Sequence, residues 1–146
     1  MTTREECFVD HLSFPALCLA RDTSIAVAES VDGLRQCNAV AFFKNRYFED
    51  LIILDSSAAQ YRVASATPAE PLTGMKKVFV RVLNRRLTVQ LRLTREAGAS
   101  LETAKDHVLA WLRKDPDFWE ASRALPEWER AVKAAPDMRR LIRLFA

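Results

Sequence analysis

Two hydrophobic rhythms divide the chain, one of strand period up to about residue 95 and one of helix period after residue 100. Leu51-Ile-Ile-Leu54 is a continuous apolar run of strand length, closed by Asp55-Ser56-Ser57. The short side-chain oxygens of those three residues bond their own backbone and favour a turn. Tyr61-Arg-Val-Ala-Ser65 then returns with apolar and polar positions alternating, so a hairpin is predicted from about 50 to 65. Leu87, Val89, Leu91 and Leu93 alternate with Thr88, Gln90, Arg92 and Thr94, the pattern of a strand with one apolar and one wet face. Val78, Val80 and Val82 alternate with Phe79, Arg81 and Leu83 up to a break at Asn84-Arg85-Arg86. This predicts a second hairpin across 78–94, or one long strand bent at Asn84. Between the two hairpins, Pro68 and Pro71 mark 66–74 as a loop.

The front of the chain is less regular. Cys7, Phe8, Val9 and Leu12 fit one helical turn, Pro15 to Ala20 an extended piece, and Ile25 with Val27 a short strand or the base of a helix. Ser30-Val-Asp-Gly-Leu34 reads as a short capped helix in which Ser30 accepts from the Gly33 amide. Residues 39–43 are apolar and end at the polar break Lys44-Asn45-Arg46.

The tail is helical. Ser100 is a good N-cap for a helix over about 101–114, with Leu101, Ala104, Val108, Trp111 and Leu112 on one face. Asp115-Pro116 stops it and starts a second, short helix; Leu125-Pro126-Glu127 starts a third through Ala134, and Pro136 a fourth with Met138, Leu141, Ile142 and Phe145 as its stripe. The fold class expected is α+β: one domain over 1–146, a mainly antiparallel sheet within about 1–95, and helices over about 100–146 packed against it.

Composition adds limits. A chain of 146 residues buries enough surface to fold without a staple. Its three cysteines, Cys7, Cys18 and Cys37, are odd in number and lack C-x-x-C spacing, so reduced thiols are expected rather than disulfides or a zinc knuckle. The acidic start carries no secretory pattern, and no apolar run reaches the roughly 18 residues of a membrane span, so a soluble cytoplasmic protein is expected. Charge is uneven. Residues 1–70 hold six bases and ten acids, whereas residues 71–100 hold seven bases (Lys76, Lys77, Arg81, Arg85, Arg86, Arg92 and Arg95) and only Glu96.

Candidate chemistry is sparse. Cys7 and His11 at i, i+4 would share a helical face, but four zinc ligands do not assemble around them. Glu49, Asp50 and Asp55 flank the 51–54 run as solvated edge and turn acids, and Asp115 and Asp117 as caps. There is no G-x-S-x-G, no Walker loop and no G-x-G-x-x-G, so no catalytic residue, metal ligand or cofactor is assigned and an enzyme is not expected. The basic stretch is the most informative feature. Arg81, Arg85, Arg86, Arg92 and Arg95 are placed along a sheet face and its turn, either as edge-protecting charges on a solvated face or as a footprint for an acidic protein partner or, as the alternative, for nucleic acid. The wet face Thr88, Gln90, Arg92, Thr94 lacks the aromatics on which bases stack, which favours protein. Trp111, Trp119 and Trp128 are expected to form a cluster pinning the tail to the sheet.

Tyr47-Phe-Glu-Asp-Leu-Ile-Ile-Leu-Asp-Ser-Ser, Tyr61-Arg-Val, Leu83-Asn-Arg-Arg-Leu-Thr-Val-Gln-Leu, Asp115-Pro-Asp-Phe-Trp-Glu and the terminal amphipathic helix, over about 37–146, together resemble small stand-alone bacterial immunity proteins. The resemblance implies a non-enzymatic cytosolic antitoxin that binds one cognate toxin and occludes its active site or a neighbouring surface. No functional residue carries over from it. The partner-binding residues expected from charge are Arg81, Arg85, Arg86, Arg92 and Arg95, with Glu49 and Asp50 from the acidic half. Inhibitors of toxic nucleases are usually acidic, so the mildly basic balance argues against a nuclease target unless that acidic half makes the contact.

Overall fold

A computed structural model describes the backbone of residues 6–7 and the whole of residues 9–70 and 74–146. In chain order the elements are β1 (Glu6–Cys7), a 3-10 turn (Val9–His11), β2 (Ala16–Leu19), β3 (Ile25–Ala28), α1 (Val31–Arg35), β4 (Gln36–Asn38), a π-helical turn (Val40–Lys44), β5 (Ile52–Asp55) and β6 (Gln60–Pro68). They continue with α2 (Gly74–Val82), β7 (Arg86–Glu96), α3 (Leu101–Lys114), α4 (Pro116–Glu120), α5 (Leu125–Ala134) and α6 (Met138–Arg143). The fold is α+β: an antiparallel sheet ordered β1-β7-β6-β5-β2-β3, with β4 also paired to β7, and a helical tail against it.

The continuous apolar run of β5 has a simple cause: both faces of the sheet are covered there. Leu17, Leu19, Ile52 and Leu54 point into a core shared with α3, α5 and α6, while Ala16, Cys18, Leu51 and Ile53 point the other way. The second core is closed by Val9, Leu12, Leu34, Ala39, Phe48 and Val80 over the inward row Leu87, Val89, Leu91 and Leu93 of β7. The tail covers only the β2–β5 half. No residue of β6 or β7 joins its core, so Thr88, Gln90 and Arg92 face solvent beside Ser65 and Thr67.

The sheet curls around the second core. β4 pairs with β7 at Arg86–Thr88 and β1 at Leu93–Thr94, while Arg35 Nε donates to the Val89 carbonyl between them at 2.9 Å. Because β3 and β7 lie toward opposite ends of the sheet order, the connection β3–α1–β4 spans the mouth of the curl.

Local signals act as the sequence leads one to expect in the hairpin and most of the tail. Ser30 accepts from the Gly33 amide at 3.1 Å, and Ser100 forms a reciprocal cap with Thr103. Asp55 Oδ1 accepts from the amides of Ser57 and Ala59, building the β5–β6 turn. The three tryptophans do not form the one cluster expected: Trp111 Nε1 donates to the Ala20 carbonyl at 2.7 Å and fixes α3 to the sheet, while Trp119, Trp128 and Phe145 form a separate cluster within the tail.

Several expectations are corrected, the bounds of the 66–74 loop among them: β6 runs on through Pro68, paired with Val89, and α2 begins at Gly74. The last helix is capped by Asp137, which accepts from the Arg140 amide, and starts at Met138 rather than Pro136. Cys7 belongs to strand β1, so the shared helical face with His11 does not exist; its side chain lies outside the described residues. The largest correction concerns 78–83, where the expected strand is instead helix α2 through Val82 and a turn at Leu83. Met75, Val78, Phe79 and Val82 recur at i, i+3, i+4 and i+7, and that helical period begins before the valine alternation starts. Asn84, expected to open a hairpin, instead closes the helix. At φ +48 it takes the left-handed C′ position, its amide donates to Arg81, and the Arg85 amide donates back to Val80 at 3.1 Å.

Candidate functional site

Helix α2 buries one residue, Val80, which is 8% exposed. Its other apolar side chains face solvent: Met75 is 68% exposed, Val78 52%, Phe79 53% and Val82 75%. Leu83, just beyond the helix, is exposed as well. At 100° per residue Val78 and Val82 lie nearly opposite Val80, with Met75 beside them. The helix is therefore amphipathic with its apolar stripe turned outward. One buried valine is worth about 1.5–3 kcal/mol, a slender anchor for an element of nine residues.

The neighbouring π-helical turn is tied to the end of this helix. Asn84 Oδ1 accepts from the Val40 amide at 2.8 Å, and the Arg85 carbonyl accepts from Ala39 at 3.0 Å. Arg81 lies over the Phe43 ring, 5.2 Å from its centroid. Between turn and helix runs a groove of about 330 Å³ lined by Ala39, Val40, Phe43, Lys44 and Arg81. Exposed cations are at hand: Lys44 and Arg81 line the groove, Arg85 follows the helix, and Lys76, Lys77 and Arg86 lie farther toward the Val80 side and the start of β7. Lys76 pairs with Glu70 at 2.8 Å, whereas Lys77, Arg85 and Arg86 make no ion pair among the described residues.

The expected basic footprint is thus divided. Arg81 stands on α2 and Arg85 in the turn that follows, next to the groove, whereas Arg86 opens β7 on the same strand face as Thr88 and Gln90 and lines a recess with Glu70, Lys76 and Val80. Arg92 projects from the open polar face of the sheet, opposite Ser65, and Arg95 lies on the other face by strand parity. Arg92 and Arg95 therefore do not share one surface with Arg81. Glu49 and Asp50 stand elsewhere, on a cavity of about 300 Å³ with Phe42, Arg46, Phe48 and Val63. Glu49 already pairs with Arg21 at 3.1 Å and Arg46 at 3.7 Å. The apolar members Met75, Val78, Phe79 and Val82 were missed in the sequence because apolar periodicity is normally evidence of burial; the helical spacing from Met75 was the available signal.

Two other recesses lie away from α2. A cavity of about 240 Å³ lies where the curled sheet fails to close, between β3 and β4, lined by Cys18, Leu34, Cys37 and Tyr47 among others. Burial pushes the Cys18 thiol up to about 12 and Cys37 to about 11, and raises the Tyr47 phenol, so all three stay protonated at neutral pH. Thiols so shifted are poor nucleophiles, and the volume falls below the ~300 Å³ at which ligand pockets usually begin. The second place is the open face of β6–β7, where Ser65, Thr67, Gln90 and Arg92 line a recess without an aromatic side chain. Among the described residues no three His, Cys, Asp or Glu side chains gather as a metal site, and no helix is long and apolar enough to cross a membrane.

Comparison with protein-family models, with curated proteins and with solved structures finds no match to this chain.

Proposed function

We propose that this chain is a non-enzymatic protein-binding domain, acting as an immunity-type protein that neutralises a toxin by direct contact. The observation that carries the reading is the outward apolar stripe of α2, Met75, Val78, Phe79 and Val82, on a helix anchored by Val80 alone. Exposed aliphatic and aromatic side chains grouped on one element are the usual mark of a surface that a partner covers. An aliphatic stripe beside exposed cations also supports a protein partner over nucleic acid, whose phosphates and bases gain little from Val78 and Val82.

The test is co-expression. The reading frame beside the gene for this chain is expressed alone and together with it, and growth is followed. Growth arrest relieved by the chain, with a complex isolated from the two purified proteins, is the expected result. A neighbouring product that neither arrests growth nor binds the chain overturns the reading.

A further inference from the structure

We propose that the stripe of α2 and the adjoining groove take an acidic amphipathic segment of a protein partner, whose apolar side chains cover Val78, Phe79 and Val82 and whose carboxylates meet Lys44, Arg81 and Arg85. This deepens the reading above and rests on it.

Three observations select that occupant. The first is charge. Lys44, Arg81 and Arg85 are exposed beside the apolar residues and the groove, and the nearby carboxylate of Glu70 is held by Lys76. A partner presenting carboxylates along its flanks gains from every one of these cations, whereas a like-charged partner is repelled. The second observation is the same group of cations seen from another copy of this chain. Two α2 helices packed face to face would bring their basic rims together, so the charge that welcomes an acidic segment disfavours a homodimer. The third is shape. The stripe is not a flat plane, because Val40 and Phe43 line a recess of about 330 Å³ beside it, with Lys44 and Arg81 at its rim. A side chain from a partner helix fills such a recess and sets its own flanking carboxylate against Arg81. A bilayer surface covers the stripe but leaves the recess unfilled. The recess is also held in shape, since Asn84 and Arg85 both bond the backbone at Ala39–Val40.

The recognition mode is a helix laid against a groove, with anchors at i, i+3 and i+4 and charges setting the register. The stripe spans two helical turns, from Met75 to Val82, which limits it to a segment of similar length. The apolar contacts are expected to hold the complex, and the cations to set its choice of partner and its rate of formation.

The full chain, isotopically labelled, is titrated with two designed helical peptides of about 18 residues, a length at which isolated helices become tractable. They share leucines at i, i+3, i+4 and i+7; one carries glutamates on its flanks and the other lysines. Expected is binding of the glutamate peptide with amide shifts confined to α2 and Val40–Asn45, and binding of the lysine peptide at least about tenfold weaker. Val78→Asp, which changes an exposed side chain, is expected to abolish binding while leaving the spectrum folded; Arg81→Glu is expected to weaken the glutamate peptide and strengthen the lysine one. Equal binding of both peptides, or shifts located elsewhere, overturns the proposal. So does binding to phosphatidylserine vesicles or to single-stranded DNA without binding to the glutamate peptide, or a concentration-dependent dimer that Val78→Asp dissolves. The two readings fail separately: a toxin still neutralised by the Val78→Asp variant refutes this docking site and leaves the protein-binding reading standing.

Discussion

Asp55 is the residue whose removal tests the account of the fold most sharply. It ends β5 with a side chain 1% exposed and receives four hydrogen bonds. Oδ1 accepts from the Ser57 amide at 2.9 Å, the Ser57 hydroxyl at 2.7 Å and the Ala59 amide at 3.0 Å; Oδ2 accepts from the Ser13 amide at 3.0 Å. One carboxylate therefore shapes the β5–β6 turn and ties it to the segment entering β2, 42 residues earlier. Asp55→Ala leaves three backbone N–H groups without their acceptor. Ser13 and Ser57 lie at the surface, where water replaces the carboxylate at small cost, but the Ala59 amide is buried. A buried donor left unpaired costs about 1–3 kcal/mol, and bonds to a charged acceptor are worth about 1.5–3 kcal/mol each, less where solvent competes. The total expected for Asp55→Ala is about 3–5 kcal/mol, a large share of the 5–15 kcal/mol of a typical domain. Asp55→Asn keeps Oδ1 but sets an NH₂ against the Ser13 amide, for an expected loss of about 1.5–3 kcal/mol. Ser57→Ala loses one partly buried bond whose donor is at the surface and is expected to cost about 1 kcal/mol. Urea unfolding followed by circular dichroism measures all three. An Asp55→Ala variant within about 1 kcal/mol of the parent, or an Asn variant as costly as the Ala one, refutes the reasoning.

Three further expectations are independent of this one. Trp119 Nε1 is buried without a partner among the described residues while Trp128 Nε1 donates to the Trp119 carbonyl at 3.1 Å, so Trp119→Phe is expected to cost less than Trp128→Phe in the same unfolding assay. Thr23 holds φ +72 in the β2–β3 turn, a left-handed conformation costly for a β-branched residue; Thr23→Gly is expected to raise stability by about 1 kcal/mol, measured as an upward shift of the urea midpoint. Burial raises the thiol of Cys18 from 9.0 to about 12 and that of Cys37 from 9.0 to about 11. Above pH 9 the unfolded chain releases these protons and the folded one retains them, so stability contributed by both thiols is complete below pH 9 and is lost as pH rises toward 11 and 12. Cys18→Ala is expected to flatten that alkaline decline in urea midpoints taken from pH 8 to 11.

What the chain revealed in advance follows from where its signals are local. Ser30, Ser100 and Asp55 each bond an amide two to four residues away, and those caps and turns were legible. The unbroken apolar run Leu51–Leu54 was legible as a strand, observed as Ile52–Asp55, and its burial on both faces explains why it does not alternate. Helix α2 was not legible because two periods overlap in it. Val78, Val80 and Val82 satisfy a strand, and β-branched residues favour that reading, while the helical set Met75, Val78, Phe79 and Val82 begins outside the alternating window. Charge misled in a related way. Arg81, Arg86, Arg92 and Arg95 are close in sequence, but a helix and the two faces of β7 send them to different surfaces: Arg81 to α2, Arg86 and Arg92 to one face of β7 and Arg95 to the other.

The error over α2 and the candidate site have a common origin. Hydrophobic periodicity reports which face of an element meets something apolar, and for most elements that something is the protein's own core. In α2 only Val80 meets the core, so the pattern describes a face with no counterpart among the described residues. Local stability does not account for the stripe: valine is a weak helix former, and exposed valines gain nothing from packing. The Asn84 cap and its bond to Val40 hold the helix end beside the π-helical turn and keep the stripe and the groove in one frame. An element so placed, with its apolar side outward and its end secured, has the construction of a binding surface. The place where sequence reasoning failed is therefore also the place where the structure departs most from the requirements of folding alone, as sites shaped for a partner tend to do.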